Sequence, residues 1–382
     1  MFDVLDTKKI LLPFDYCIKN KRTFDRKFYT IPMIKKILFI PIFLSCFILT
    51  AQDQDFTQFY GAPVALNPAL TGAINGTFRF STIYRDQWRN VLDNPIATFS
   101  SAADFRFNVL KANRSHDAAG IGMIFYNDKP GLTYSTNRLM LSGAFHKGLG
   151  KSGEQYLSIG FQAGIAQQNV GLSKLTFDDQ FNGSTGYTEG TGEDFPENNF
   201  AFGDYNIGVN YSYTPEKRMS IYTGLAMSHI LEPRISFYYD PKNPADFPDN
   251  HLYRKYTAYV NLSIPIGEFM KLSPRVLGYL QGPHFSAMAG SNIRFLVNQS
   301  NGTALHIGTW LRVSQPKDKQ LGPESAIVLA GIEFNNYLFG FSYDANLVDF
   351  TGSKRGQGAF EFSIAYLGDY SSDDDGVICP KF

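Results

Sequence analysis

Cysteine is scarce in this chain, with three in 382 residues. Cys17 and Cys46 both lie ahead of residue 52, so loss of an amino-terminal leader would leave only Cys379. One cysteine forms no intrachain disulfide and no thiolate metal centre. Excess positive charge is also missing. Lys plus Arg and Asp plus Glu each number 35, and beyond Ala51 the balance is 26 basic to 31 acidic. That excludes a basic surface of the kind that binds nucleic acid. Long apolar runs are missing too: the longest, Ile37 to Leu49, covers thirteen residues and is too short for a helix to cross a bilayer. No stretch has the period of a long amphipathic helix. The six histidines sit in separate segments without metal-ligand spacing, and no Gly-x-Ser-x-Gly elbow occurs. The sequence therefore offers no catalytic set, no metal site and no cofactor site.

The thirteen-residue run has its own explanation. It follows Met33-Ile34-Lys35-Lys36 and precedes Thr50-Ala51-Gln52. A basic start, a short apolar core and a small residue before the cut describe a secretory signal peptide. The expectation is that residues 1–32 are a misassigned upstream start, that 33–52 are the leader, and that cleavage falls near Ala51. A lipoprotein cut before Cys46 is the weaker alternative, because it would leave apolar Phe47-Ile48-Leu49 in the mature chain.

What the chain has in abundance is period-two alternation. Leu157, Ile159, Phe161, Ala163 and Ile165 alternate with Ser158, Gly160, Gln162, Gly164 and Ala166. Phe360, Phe362, Ile364 and Tyr366 alternate with Glu361, Ser363 and Ala365. Side chains on a strand point to opposite faces in turn, so each segment is a strand with one apolar and one polar or small face. Fourteen such strands are expected: 76–86, 96–107, 117–127, 132–147, 154–168, 203–214, 218–230, 253–266, 269–281, 284–298, 303–315, 324–335, 337–346 and 357–367. Most are long enough for a tilted membrane crossing. The connections after even strands are mostly short. Those after odd strands are mostly long, with exceptions at 128–131 and 281–284. An even number of long strands with short turns at one end and long loops at the other predicts an all-β transmembrane barrel. Its turns and both termini would be periplasmic, and its long loops extracellular. Its address is the bacterial outer membrane, in contact with lipid. Only a closed barrel leaves no unpaired strand edge in hydrocarbon. The barrel is expected over 76–368, followed by a periplasmic tail, 369–382.

If the apolar face is outward, the inward face carries Arg79, Arg85, Arg106, Arg138, Arg294 and Arg312, with Asp104, Glu333, Asp344 and Glu361. His146, His306 and Trp310 point inward as well. Internal ion pairing accounts for these charges most simply, and a polar pathway is the sharper alternative. Closure of the last strand on the first suggests Arg79 and Glu361 as neighbours. The acidic residues Asp178, Asp179 and Glu189 to Asp194, in the longest outer loop, read as a solvated surface.

Between the leader and the first strand, residues 53–75 carry Phe56, Phe59, Tyr60, Val64, Leu66 and Leu70, too much apolar surface for a free tail. They are expected to pack in the lumen as a plug or across the periplasmic mouth. Pro68 pushes Asn67 toward extended geometry, and an Asn there can cap nearby backbone groups. Three motifs follow in order. The first, Asp53 to Tyr60, includes Phe56, Gln58 and Tyr60. The second is Leu66-Asn67-Pro68-Ala69-Leu70-Thr71-Gly72. The third, at the end of strand one, holds Tyr84, Arg85, Gln87 and Trp88. Leader, motifs and strand pattern together resemble the PorP/SprF family of the Bacteroidetes type IX secretion system. The resemblance implies a non-catalytic outer-membrane barrel that docks cargo proteins or periplasmic machinery for export, surface attachment or gliding motility. The partners it implies are other type IX components, the C-terminal sorting domain of a secreted cargo, and a peptidoglycan-binding periplasmic lipoprotein. The Asn67-Pro68-Ala69 element is also similar to FadL-type channels, which implies the alternative of a passive channel for hydrophobic solutes. Arg85 and Trp88 are expected to anchor the Asn67-Pro68 bend, or Trp88 to sit in an interfacial aromatic girdle.

Overall fold

The computed structural model describes residues 53–369, apart from residue 54 and the stretches 110–115, 151–152, 173–174, 194–197, 217, 238–241, 243–249, 301, 316–319 and 348–356. The leader, the upstream start and the tail with Cys379 lie outside the described residues. Fourteen strands form one closed antiparallel barrel in which each pairs with its sequence neighbours and β1 closes on β14. They are β1 Phe78–Gln87, β2 Ile96–Asn108, β3 Ala118–Pro130, β4 Tyr134–Leu149, β5 Gln155–Val170, β6 Asn199–Tyr213 and β7 Ser220–Ser228. The other seven are β8 Lys255–Ile266, β9 Met270–Gln281, β10 His284–Asn298, β11 Thr303–Gln315, β12 Gly322–Phe334, β13 Tyr337–Asn346 and β14 Gly358–Gly368. No described helix is long and apolar enough to cross a membrane.

The alternation maps onto the wall as expected. Leu141 is 67% exposed and Ile165 63%, whereas Ser142, Ser158 and Gln162 on the other face are buried. An apolar outer face with a polar inner one is the arrangement a lipid-embedded barrel requires. At the short-turn end Phe78 packs on Phe80, Phe105 and Tyr366, and Tyr366 on Tyr337, so aromatic side chains cover the β1–β14 seam. The largest departure from the expected bounds is β6, which starts at Asn199 rather than 203 because its ladder with β5 continues to Asn169. Phe200 and Phe202 alternate with Asn199 and Ala201, but they share a face with Asp204 and Asn206 rather than with Ile207 and Val209, so the extension is out of phase with the strand's outward apolar face. The apolar core lies inside the barrel. Phe59, Tyr60, Leu66 and Leu70 pack with Tyr156, Leu277, Trp310 and Ile327 from the wall.

Candidate functional site

Residues 53–74 run through the barrel interior from one end to the other. They fold as a 3-10 turn (Phe59–Gly61), one helical turn (Pro63–Leu66) and a second 3-10 turn (Pro68–Leu70). Proline opens both later turns, where its missing N–H costs nothing and its fixed φ suits the first helical position. Asn67 between them is extended, with φ −155° and ψ 124°, as a residue before proline should be.

The path of this segment can be followed through its contacts. At the long-loop end the Asp53 carboxylate bonds Arg138 and His229, each at 2.5 Å, and the Asp53 N–H donates to Gln281 Oε1. Lys255 donates to Asp55. Next, Glu361 accepts the backbone N–H groups of Thr57 (2.7 Å) and Gln58 (2.8 Å). The Gln58 side chain donates to Ser342 and accepts from Ser363, while Thr57 Oγ1 donates to Asp344. Tyr60 lies beneath the Arg275 guanidinium at 4.1 Å, stacks on Trp310 and accepts from Asn292. Phe56 packs edge-on to Tyr126. Lower down, Gln162 donates to Val64 O. Thr71 O accepts from His146 Nε2 at 2.9 Å, which leaves Nδ1 of that ring to accept from Ser158. At the short-turn end Asp104 accepts the Gly72 N–H, and Arg79 donates to Leu70 O.

Asn67 is the central joint. Its Oδ1 accepts the Ala69 N–H at 2.8 Å, closing the bend. Its Nδ2 lies near three wall acceptors: Val209 O (3.0 Å), Leu225 O (3.3 Å) and Tyr259 OH (3.2 Å). The wall makes room for this joint with one row of small residues. Gly120, Ala144, Gly160, Gly208 and Ala226 lie side by side in register across β3 to β7. A Cβ at Gly160 would overlap Pro68 and Ala69, and one at Gly208 would overlap the Asn67 side chain.

The inward charges pair with one another. Arg79 binds Asp104 through Nε (2.9 Å) and Nη2 (2.7 Å). Arg85 binds Glu361 at 2.5 Å and Asp344 at 3.0 Å, and donates to Thr57. Arg312 reaches Asp344 at 3.2 Å, Glu324 at 3.6 Å and the Thr57 hydroxyl. Arg294 and His306 share Glu333, and Arg106 is buried on the same inner face. The Arg79–Glu361 pairing is therefore corrected. Register places Arg79 opposite Leu367 on β14 and Asp104 on β2, while Glu361 stands opposite Arg85. The anchoring of the bend is corrected as well. Arg85 holds Thr57, not Asn67-Pro68, because it sits near the long-loop end of β1 and the bend lies lower against β6 and β7. Trp88, at φ +62°, borders a cavity of about 330 Å³ at the long-loop mouth with Gln87, Asp53, Asp55, Gln281 and Arg312. Tyr84 lies apart on the outer face, where its hydroxyl donates to Asp86.

A smaller cavity of about 90 Å³ lies between the internal segment and the wall, with Phe56, Phe59, Leu66, Ile124 and Met140 as its apolar part. Thr57, His229, Asp204 and the glycine row were missed from sequence. Spaced glycines on the inward side of four strands (Gly120, Gly160, Gly208, Gly224) were a visible signal, but their alignment depends on register.

Burial pushes the Asp53 carboxyl up, but Arg138, His229 and Lys255 outweigh it and hold that carboxyl well below its usual range. His229, just beyond β7, is pushed down by burial. Asp53 and Asp204 reverse this and hold it above its ordinary value.

The sequence profile of a family described as type IX secretion system membrane protein PorP/SprF matches residues 48–366, covering both the internal segment and nearly the whole wall. No curated protein matches. Among solved structures, the Ralstonia pickettii toluene transporter TbuX aligns with a TM-score of 0.46 at 11% identity, over 81% of this chain and 94% of that one. The Pseudomonas putida toluene transporter TodX aligns with a TM-score of 0.44 at 10% identity, over 83% and 94%.

Proposed function

This chain belongs to the PorP/SprF family of type IX secretion system membrane proteins, and on that premise we propose that it is a docking barrel for export. It works without catalysis in the outer membrane and holds a secreted cargo or periplasmic machinery to the export apparatus. The short-turn end faces the periplasm and the long loops face outward. Residues 53–75 act as the plug. The partners that fit this reading are a cargo's C-terminal sorting domain and a peptidoglycan-binding periplasmic lipoprotein. The observation that carries it is the occupied lumen. A segment of the chain itself fills the interior from end to end, and the inward arginines and carboxylates are taken up by one another and by that segment. A barrel built this way is a platform first. Deleting the gene should leave one surface protein stranded in the periplasm while total secretion continues; an unchanged surface proteome would overturn the reading.

The apolar part of the cavity beside Phe56, Phe59 and Leu66 favours a second reading, passive passage of a hydrophobic solute. In the same deletion strain that reading requires uptake of such a compound to fall with the surface proteome intact.

A further inference from the structure

Barrels of this orientation begin and end at the periplasmic side, and the first and last strands here do so. Gly76 lies against Gly368, and Thr77 N–H donates to Gly368 O at the short-turn end. The internal segment does not stay there. Gly72 is held by Asp104, opposite Arg79 on β1, whereas Thr57 is held by Arg85, six residues further along the same strand. Six residues of strand span roughly 20 Å. Asp53 lies higher again, among groups at the long-loop ends of their strands. His229 follows the last residue of β7, Lys255 is the first residue of β8, and Gln281 is the last of β9. The order of contacts from Gly72 to Asp53 is a steady climb from one mouth to the other. At the top, Asp53 and Asp55 border the 330 Å³ cavity that opens among the long loops. At the bottom, Asn75 is exposed and Gly76 has φ +140°, so a short hinge joins the climb to β1.

We propose that residues 53–75 are a connector that crosses the outer membrane inside the barrel, with its Asp53 end presented at the cell surface and the hinge in the periplasm. One continuous segment then touches both sides of the membrane, and a protein partner bound at either mouth meets a different end of it. This rests on the barrel orientation proposed above, and it adds a placement that orientation alone does not require. A segment folded back across the periplasmic mouth would suit the same barrel.

Site-directed labelling tests it. In a background with Cys17, Cys46 and Cys379 replaced by serine, single cysteines are introduced at Asp53, Asn75 and Gly183 of the long β5–β6 loop. Intact and permeabilised cells are treated with a membrane-impermeant maleimide. The expected result is labelling of D53C and G183C on intact cells, and of N75C only after permeabilisation. Because D53C removes the carboxylate that binds Arg138 and His229, a short epitope inserted ahead of Asp53 in the otherwise unaltered protein is probed with antibody on intact cells, and should be detected. If G183C labels from outside while D53C and the epitope are reached only after permeabilisation, the connector is refuted and the orientation stands. If G183C also requires permeabilisation, the orientation fails and the connector with it.

Discussion

At the residue scale, Asn67 shows how much one side chain can settle. Its amide spends its oxygen on its own bend and aims its nitrogen at three wall acceptors, two of them backbone carbonyls and the third the Tyr259 hydroxyl. Asn67→Ala should lower stability by about 1–3 kcal/mol, the cost of leaving buried partners unmatched. Asn67→Asp should cost more. It keeps the cap on Ala69 but turns a second oxygen toward Val209 O and Leu225 O, with nothing to donate. Heat-dependent mobility of the folded barrel on gels measures both, and equal midpoints for the two variants would contradict this account. Sequence alone indicated that Asn67 caps a bend, because a residue before proline is extended and asparagine accepts locally. It did not show which strands receive it. Arg79 and Glu361 are not partners for the same reason: both face inward, but pairing across the seam follows a register that alternation does not encode.

At the scale of elements, the strands were the most legible part. A half-buried strand must alternate, and this one alternates with lipid on one side, so all fourteen were visible nearly to their ends. The internal segment was legible only as apolar and turn-rich, since short 3-10 and helical turns have no period long enough to read. Its upper end depends on electrostatics more than on packing. Asp53 faces Arg138 from β4, His229 beyond β7, Lys255 from β8 and its neighbour Asp55, and His229 is backed by Asp204 from β6. His229 is held above its ordinary value of about 6.5, so its contribution is full below that pH and fades as pH rises through the raised value. Asp53 is held below its ordinary value, so its contribution is present above about 4 and is lost as pH falls through the depressed value. Between the two the junction is firmest. Raising pH from about 6 to about 9 should loosen it. Hydrogen exchange over Asp53 to Tyr60, corrected for the intrinsic pH dependence, should then accelerate several-fold. His229→Gln has no proton to lose and should flatten that limb. An equally steep rise in the variant would place the titration elsewhere.

At the scale of the whole molecule, the question is what the wall would do without its occupant. A barrel of fourteen strands has an interior wider than its own side chains fill. Here the difference is made up by residues 53–74, whose Phe59, Tyr60, Leu66 and Leu70 form the inner core with the wall's Trp310 and Leu277. The wall itself has its own bonds. The ladders close fully around the barrel, and Arg79–Asp104 and Arg85–Glu361 join neighbouring strands without help from the segment. Deleting residues 53–74 should therefore leave a barrel that still assembles but is less stable, since Glu361 and Asp104 lose the backbone N–H groups they now accept. Its lumen should fill with water and conduct. In planar bilayers the intact protein should show little steady conductance and the deleted form discrete open channels. Because the small-residue row shaped for Asn67 and Pro68 persists in the deleted barrel, a synthetic peptide of residues 53–74 should close those channels when added to the short-turn side. The same peptide with Asn67→Asp should be a poorer blocker. Conductance that is equally high with and without the segment would mean the lumen is already open, and the solute-channel reading would then gain at the expense of the docking one.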